Sequence, residues 1–384
     1  MLQQQSHSGF IPFLILFAFL FTACEQDQPV PPSEPATPVY DRTADKFRYD
    51  GEEHLRNIRQ LTFGGNNAEA YWSKDGSQLV FQSDWSEINT QGCDQIYVMN
   101  ANGTALEGEE KYKLVSTGKG RTTCSYFMPD GRIVYATTHA ADPACPAPVM
   151  FNQGRYVWPI YDTYDIYTSA ADGSDPQLLI GGEGYDAEAT VSPDGKYVIY
   201  TSTRSGDLEL YRYEIATGES LQLTDKLGYD GGAFFSPDSK KIVWRASRPE
   251  GEAADLYTNL LKDGFVEPSA LNIFIADIDG TNVQQITDLP GANWAPFFHP
   301  DGQRVLFTSN HHTMETGGRL FDIFMINTDG TNLKQITHSG TFDAFPMFSY
   351  DGKQLVFSSN RNLEGVESRD TNVFVADWVE SEEM

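Results

Sequence analysis

Residues 292–312 read Ala-Asn-Trp-Ala-Pro-Phe-Phe-His-Pro-Asp-Gly-Gln-Arg-Val-Leu-Phe-Thr-Ser-Asn-His-His. An aromatic, partly alternating run ends in Pro300-Asp301-Gly302, and a second β-rich run, Arg304 to Ser309, comes directly after it. The turn has a mechanism. Proline presets φ, the Asp side chain caps the turn, and glycine takes the φ > 0 position. The stretch therefore predicts a β-hairpin.

The hairpin recurs. Equivalent turns are Lys74-Asp75-Gly76, Pro129-Asp130-Gly131, Pro193-Asp194-Gly195, Pro237-Asp238-Ser239 and Tyr350-Asp351-Gly352. β-Branched and aromatic runs come after them, such as Gln78 to Gln82, Tyr197 to Thr201, Lys241 to Arg245 and Gln354 to Ser358. Third strands are expected at Gln95 to Met99, Asp165 to Thr168, Glu209 to Tyr213, Asn272 to Ala276, Asp322 to Ile326 and Asn372 to Ala376. A short fourth strand carries Gln60-Leu61-Thr62, Gln222-Leu223-Thr224, Gln285-Ile286-Thr287 or Gln335-Ile336-Thr337. Four strands per unit, six units and no helical period between them predict an all-β fold, a six-bladed β-propeller. The sixth third strand, ending near Trp378-Val379, has no fourth strand after it, while a spare one, Asn57 to Thr62, stands at the front. It is expected to complete the last blade and leave no open edge.

These units resemble the WD40-like (PD40) repeats of TolB-like propellers, and the likeness covers nearly everything from Asn57 to Val379. The N-terminal α/β domain of TolB has no counterpart, because residues 25 to 56 are too few and too rich in proline. The likeness is closest to single-propeller, TolB-like lipoproteins of the bacterial envelope. The resemblance implies a channel mouth that receives peptide segments. It implies no particular chemistry, since propellers host binding proteins, lyases and peptidase caps alike.

The chain has 384 residues, of which 40% are hydrophobic and 13% aromatic, enough for a real core. Its formal net charge of −27 argues against nucleic acid as a partner. Residues 1–23 read as a signal peptide, with an apolar run, Phe10 to Phe21, too short to span a bilayer comfortably. Leu20-Phe21-Thr22-Ala23-Cys24 resembles the lipobox of bacterial lipoproteins, although Phe21 stands where Leu is usual and no Lys or Arg precedes it. The resemblance implies lipidation at Cys24, so that the membrane is reached through a lipid anchor only. Residues 24–56 then form a Pro- and acid-rich tether, 57–379 the propeller and 380–384 an acidic tail. The expected location is the cell envelope, on the periplasmic or surface side of a bacterial membrane, the outer one favoured.

Long segments between second and third strands, among them Ser83 to Asp94, Thr138 to Tyr164 and Ser247 to Leu271, fall on one face, where binding sites are built. The last of these carries a helical period, with Ala253, Leu256, Tyr257, Leu260 and Leu261 forming a stripe and Gly264 as a stop. The helix is expected to act as a partial lid. Two residues before each channel strand lie Asn67, Thr122, Asp186, Asp230, Asn293 and Asp343. Converging carboxylates need a cation, water or a basic ligand group. The expected mouth therefore comprises Asn67, Glu69, Asp186, Glu188, Asp230, Asn293, Trp294 and Asp343. Further out lie Trp85, His139, Arg204, Arg248, His311 and Arg361, facing third-strand starts such as Glu209 and Asp322 in pairs that would staple each blade.

His139, His311 and His312 share this face and are candidates for holding a metal, a divalent cation being the cofactor such a site would take. Against it, adjacent histidines on an extended chain point apart, and no Glu-flanked metal motif is present. Cys93, Cys124 and Cys145 also map here. Cys124 with Cys145 is the first-choice disulfide, with Cys93 competing. No nucleophile elbow, phosphate loop or dinucleotide fingerprint occurs. The expected function is a non-catalytic envelope binding or scaffold protein that receives a peptide or small ligand at the mouth. Its partner would be an envelope protein or peptide, or a glycan. The alternatives are a metal-assisted polysaccharide lyase or hydrolase at the same mouth, and a substrate-capture lipoprotein serving a transporter.

Overall fold

Every blade is built from the hairpin that the repeat predicts. In a computed structural model, which describes residues 45–108, 110–363 and 368–380, the chain forms six four-stranded antiparallel sheets. Their innermost strands are Asn67–Trp72, Thr122–Phe127, Asp186–Val191, Asp230–Phe235, Asn293–Phe298 and Asp343–Phe348, in blades 1 to 6. Each packs against the innermost strands of its two neighbours, and the sixth packs against the first, so the sheets close into a ring. The main core runs between blades and is filled by alternate residues of neighbouring sheets.

The turns behave as their chemistry requires. The Asp301 carboxylate accepts a hydrogen bond from the Gln303 amide at 2.7 Å, and Gly302 sits at φ 67°. In blade 4, Ser239 takes the same left-handed position at φ 60°.

The ring closes with the strand from the front. Leu55–Gln60 pairs antiparallel with Asn372–Trp378, Leu55 opposite Trp378 and Gln60 opposite Phe374. The structure extends this lock upstream and shortens the expected tether of residues 24–56. The Phe47 ring lies 5.2 Å from that of Phe374, and fully buried Glu52 bonds to fully buried Arg361 at 3.0 Å. Residues 45–56 therefore belong to the ring body. Cys24 and the predicted signal peptide lie outside the described residues, as do residues 381–384 of the predicted acidic tail. Among the described residues no helix is long and apolar enough to cross a membrane.

The helix predicted in blade 4 spans Glu252–Lys262, buries Tyr257 and Leu260, and stops before Gly264 at φ 80°. The roof over the channel comes from the segment after this helix. Phe265–Val266 pairs with Trp158–Pro159 of the long blade 2 loop, reaching past blade 3. The Ile160 amide extends the pairing by donating to the Gly264 carbonyl at 2.8 Å. This two-stranded strap, which periodicity could not disclose, covers part of the mouth.

Candidate binding site at the channel mouth

All six innermost strands share a bulge. The ladder to the second strand slips between the second and fifth residues of each. The third residue sits there at positive φ: Glu69 at 52°, Cys124 at 48°, Glu188 at 59°, Gly232 at 59°, Ala295 at 48° and Phe345 at 55°. A non-glycine residue in this region costs roughly 1–3 kcal/mol, so the surrounding ring has to impose it. The bulge re-aims these side chains, and all six border a throat of about 30 Å³. At the throat Tyr71 of blade 1 meets Phe234 of blade 4 across the ring, with centroids 5.6 Å apart. Phe234 also meets Phe297 at 5.3 Å. These aromatic contacts, one of them between opposite blades, narrow the channel there.

Except for Thr122, which borders the well, the first residues of these strands do something else. Asn67, Asp186, Asp230, Asn293 and Asp343 do not line the well; they are buried within the blades. Arg204 bonds to Asp186 at 2.8 Å, Arg248 holds both oxygens of Asp230 at 2.7 and 2.8 Å, and Arg361 bonds to Asp343 at 3.1 Å. Where the residue is Asn, a serine replaces the arginine: Ser83 donates to Asn67 and Ser309 to Asn293. The expected polar mouth ring and the expected stapling arginines are thus one network. Each Asp pairs with the Arg eighteen positions later in the chain. Third-strand starts bond to threonines just after the fourth strand, as Thr287 donates to Asn272 at 2.9 Å and Thr62 to Asn372 at 3.1 Å, and Asp322 also pairs with His312.

Of the residues expected at the mouth, Glu69, Glu188 and Trp294 do line the well, a cavity of about 740 Å³ above the throat. Its centre is a buried ion pair that sequence reasoning half missed. Arg245 bonds to Glu188 and to the Tyr229 hydroxyl. The Tyr229 hydroxyl also donates to Glu188 at 2.7 Å, as do Thr201 at 2.7 Å and the Gly232 amide at 2.9 Å. Burial works to raise the Glu188 pKa, but the Arg245 charge and these hydrogen bonds hold it below the ordinary carboxylate value. Gly231 and Gly232 make room: a Cβ on Gly232 would stand 1.7 Å from the Arg245 guanidinium, and one on Gly231 2.4 Å from the Glu188 carboxylate. The signals were present. Gly231-Gly232 interrupts a strand. Arg245 is charged at a second-strand position where the other blades carry Gln82, Ala136, Thr201, Thr308 and Ser358.

Glu69 has weaker support, a hydrogen bond with Cys124 and the more distant charge of Arg245. Its Oε2 is buried without a hydrogen-bond partner, and burial, aided by the Glu188 charge, pushes its pKa up to about 7. Asp94, 3.5 Å from Arg121, is raised by burial to about 6. The walls are aromatic. Trp158 of the strap meets Trp294 edge-on at 6.0 Å and lies 5.4 Å from the Arg245 guanidinium, and Trp294 meets Phe345 at 4.9 Å. Tyr164 and Tyr185 stand edge to face at 5.8 Å. The predicted helix does not line this well; its strap does.

The histidines do not assemble. His311 and His312 begin a 3₁₀ helix, His311–Thr316, rather than continuing a strand. His312 pairs with Asp322 at 2.8 Å, His311 meets the Ser309 hydroxyl at 2.8 Å, and His139 of blade 2 meets Thr137 at 3.1 Å. Among the described residues no three His, Cys, Asp or Glu side chains gather as a metal set. The first-choice disulfide is also corrected. Cys93 bonds to Cys145, and Cys124 is a thiol. The bulge turns Cys124 into the throat, whereas the blade 2 loop brings Cys145 back against the blade 1 loop.

Residues 257–365 match the family model described as the TolB beta propeller domain. The chain carries a TolB-like propeller. It is 27% identical to the Tol-Pal system protein TolB of Bordetella pertussis over 155 residues, 40% of this chain and 31% of that protein. It is 26% identical to an uncharacterized protein of Agrobacterium fabrum over 149 residues, 38% of this chain and 46% of that one. The aligned stretches thus span less than half the length of these curated relatives. Among solved structures, one described as a TolB of Agrobacterium tumefaciens superposes with a TM-score of 0.51 and 18% identity, covering 84% of this chain and 97% of that one. A gluconolactonase of Xanthomonas campestris gives 0.54 at 13% identity, covering 85% and 91%. At such identities these two likenesses speak to the fold alone. The TolB-like ring is thereby separated from any one chemistry.

Proposed function

We propose that this chain is a cell-envelope binding and scaffold protein that receives a peptide segment of an envelope partner in its strapped, aromatic well. The observation that carries the reading is the well itself: about 740 Å³, walled by Trp158, Trp294 and Phe345, and narrowed where Tyr71 meets Phe234. A cavity of that size with few convergent polar groups is the usual form of a binding site. The match to a protein named for the Tol-Pal system supports an envelope scaffold. The Cys93–Cys145 disulfide supports an oxidising compartment. The lipobox-like segment before Cys24 supports a lipid anchor, and Cys24→Ser is expected to release the protein from membranes and abolish labelling by a palmitate analogue. The reading needs no cofactor.

The test is a pool of synthetic decapeptides spanning periplasm-facing envelope proteins, titrated against the purified chain with tryptophan fluorescence as the readout. Saturable binding without cleavage is expected, unchanged by EDTA. Absence of any binding peptide, or turnover of peptide or glycan, would sink the reading.

A further inference from the structure

We propose that the well seats a cationic anchor, a lysine or arginine side chain of the bound segment, held between aromatic walls and against Glu69. This deepens the peptide-receiving reading and rests on it.

Charge singles out Glu69. The well is lined by three acids, Glu69, Asp94 and Glu188, and by two bases, Arg121 and Arg245. Arg245 is committed to Glu188, and Arg121 stands 3.5 Å from Asp94. Glu69 has no ion-pair partner of its own: it has a hydrogen bond with Cys124 and feels the charge of Arg245, but its Oε2 is buried without a hydrogen-bond partner. Burying such a carboxylate is costly unless a proton or a cation joins it. One positive charge is therefore what the cavity lacks.

The walls suit that charge. A cation within about 6 Å of an aromatic face is attracted by the ring quadrupole, most strongly by tryptophan. Trp158 and Tyr229 already hold the Arg245 guanidinium in this way, at 5.4 and 4.9 Å. Trp294 and Phe345 line the same well and pack edge to face at 4.9 Å. Glu69 and Phe345 are both bulge residues aimed into the throat, so carboxylate and ring converge there. The chain's formal charge of −27 raises the local concentration of cationic segments over the whole surface. Aromatic walls alone would equally suit a sugar ring; the unmatched carboxylate is what favours the cation.

The experiment titrates the full chain with acetylated Gly-Ala-Lys-Ala-Gly amide, its glutamine counterpart and cellohexaose, read by calorimetry. The lysine peptide is expected to bind about tenfold tighter than the glutamine peptide, the factor that about 1.4 kcal/mol supplies. Glu69→Gln should erase that preference, so that the variant binds the two peptides equally. The wild-type preference tests the proposal by itself should the variant fold poorly. Equal affinity for the two peptides overturns the cationic anchor but leaves the peptide reading standing. Binding of cellohexaose with no binding of either peptide overturns both.

Discussion

The first and third positions of each innermost strand lie only two apart in the chain, yet they have opposite work. The first positions, Asp186, Asp230 and Asp343, are buried and tied to Arg204, Arg248 and Arg361. The third positions, Glu69, Cys124 and Glu188, are turned into the throat by a bulge. In a regular strand residues two apart share a face. Here the bulge inserts an unpaired residue and breaks that alternation. One polar ring therefore stabilises the scaffold while the other furnishes the site.

The largest expected effect breaks the first ring. Arg361→Ala would leave Asp343 and Glu52, both fully buried, without their cation. Loss of one partner of a buried ion pair costs about 3–5 kcal/mol. Urea unfolding should show that loss, with peptide binding unchanged under folded conditions. A change below about 1 kcal/mol would mean that the Asp–Arg pairs do not hold the blades.

A somewhat smaller effect breaks the second ring. Gly232→Ala places a methyl group 1.7 Å from Arg245 and must drive it off Glu188. A loss of roughly 2–4 kcal/mol is expected, together with loss of ligand binding. Gly302→Ala is the control, because it shares a positive φ of 67° but meets nothing within 4 Å. It should cost about 1 kcal/mol and spare the well.

The smallest effect has the opposite sign. Folding raises the Glu69 pKa from 4.5 to about 7. The folded chain is then the more protonated state across that window, so this group lowers stability as pH rises through it. Glu69→Gln should stabilise the protein at pH 8 by roughly 1–3 kcal/mol and leave it unchanged at pH 4. Thermal melts at both values measure this. Equal melting shifts at the two pH values would show that Glu69 is already compensated in the folded state.

Much of the scaffold was legible because it repeats. Six Asp-centred turns, the Gln-x-Thr fourth strands and the spare front strand each appear as local patterns, and local chemistry decides turns and pleats. Glu69 and Glu188 were legible as acids beside the mouth, and Trp294 as an aromatic next to Asn293. The pairing of Asp186 with Arg204 was also written in the repeat, since Asp230–Arg248 and Asp343–Arg361 keep the same spacing. Reading the two rings separately concealed it. Arg245 was legible only as an exception among equivalent second-strand positions.

Periodicity and turn residues, acting over a few positions at a time, were enough to specify the ring: its blade count, strand order and closure. Which polar ring faces the ligand was set by the folded chain, because the bulge that turns Glu69 and Glu188 inward leaves no periodic trace. Folding likewise brought Trp158–Pro159 to Phe265–Val266, and Cys145 to Cys93. Those contacts join segments distant in the chain. Only the closed ring brings them within reach, so no local preference could announce them.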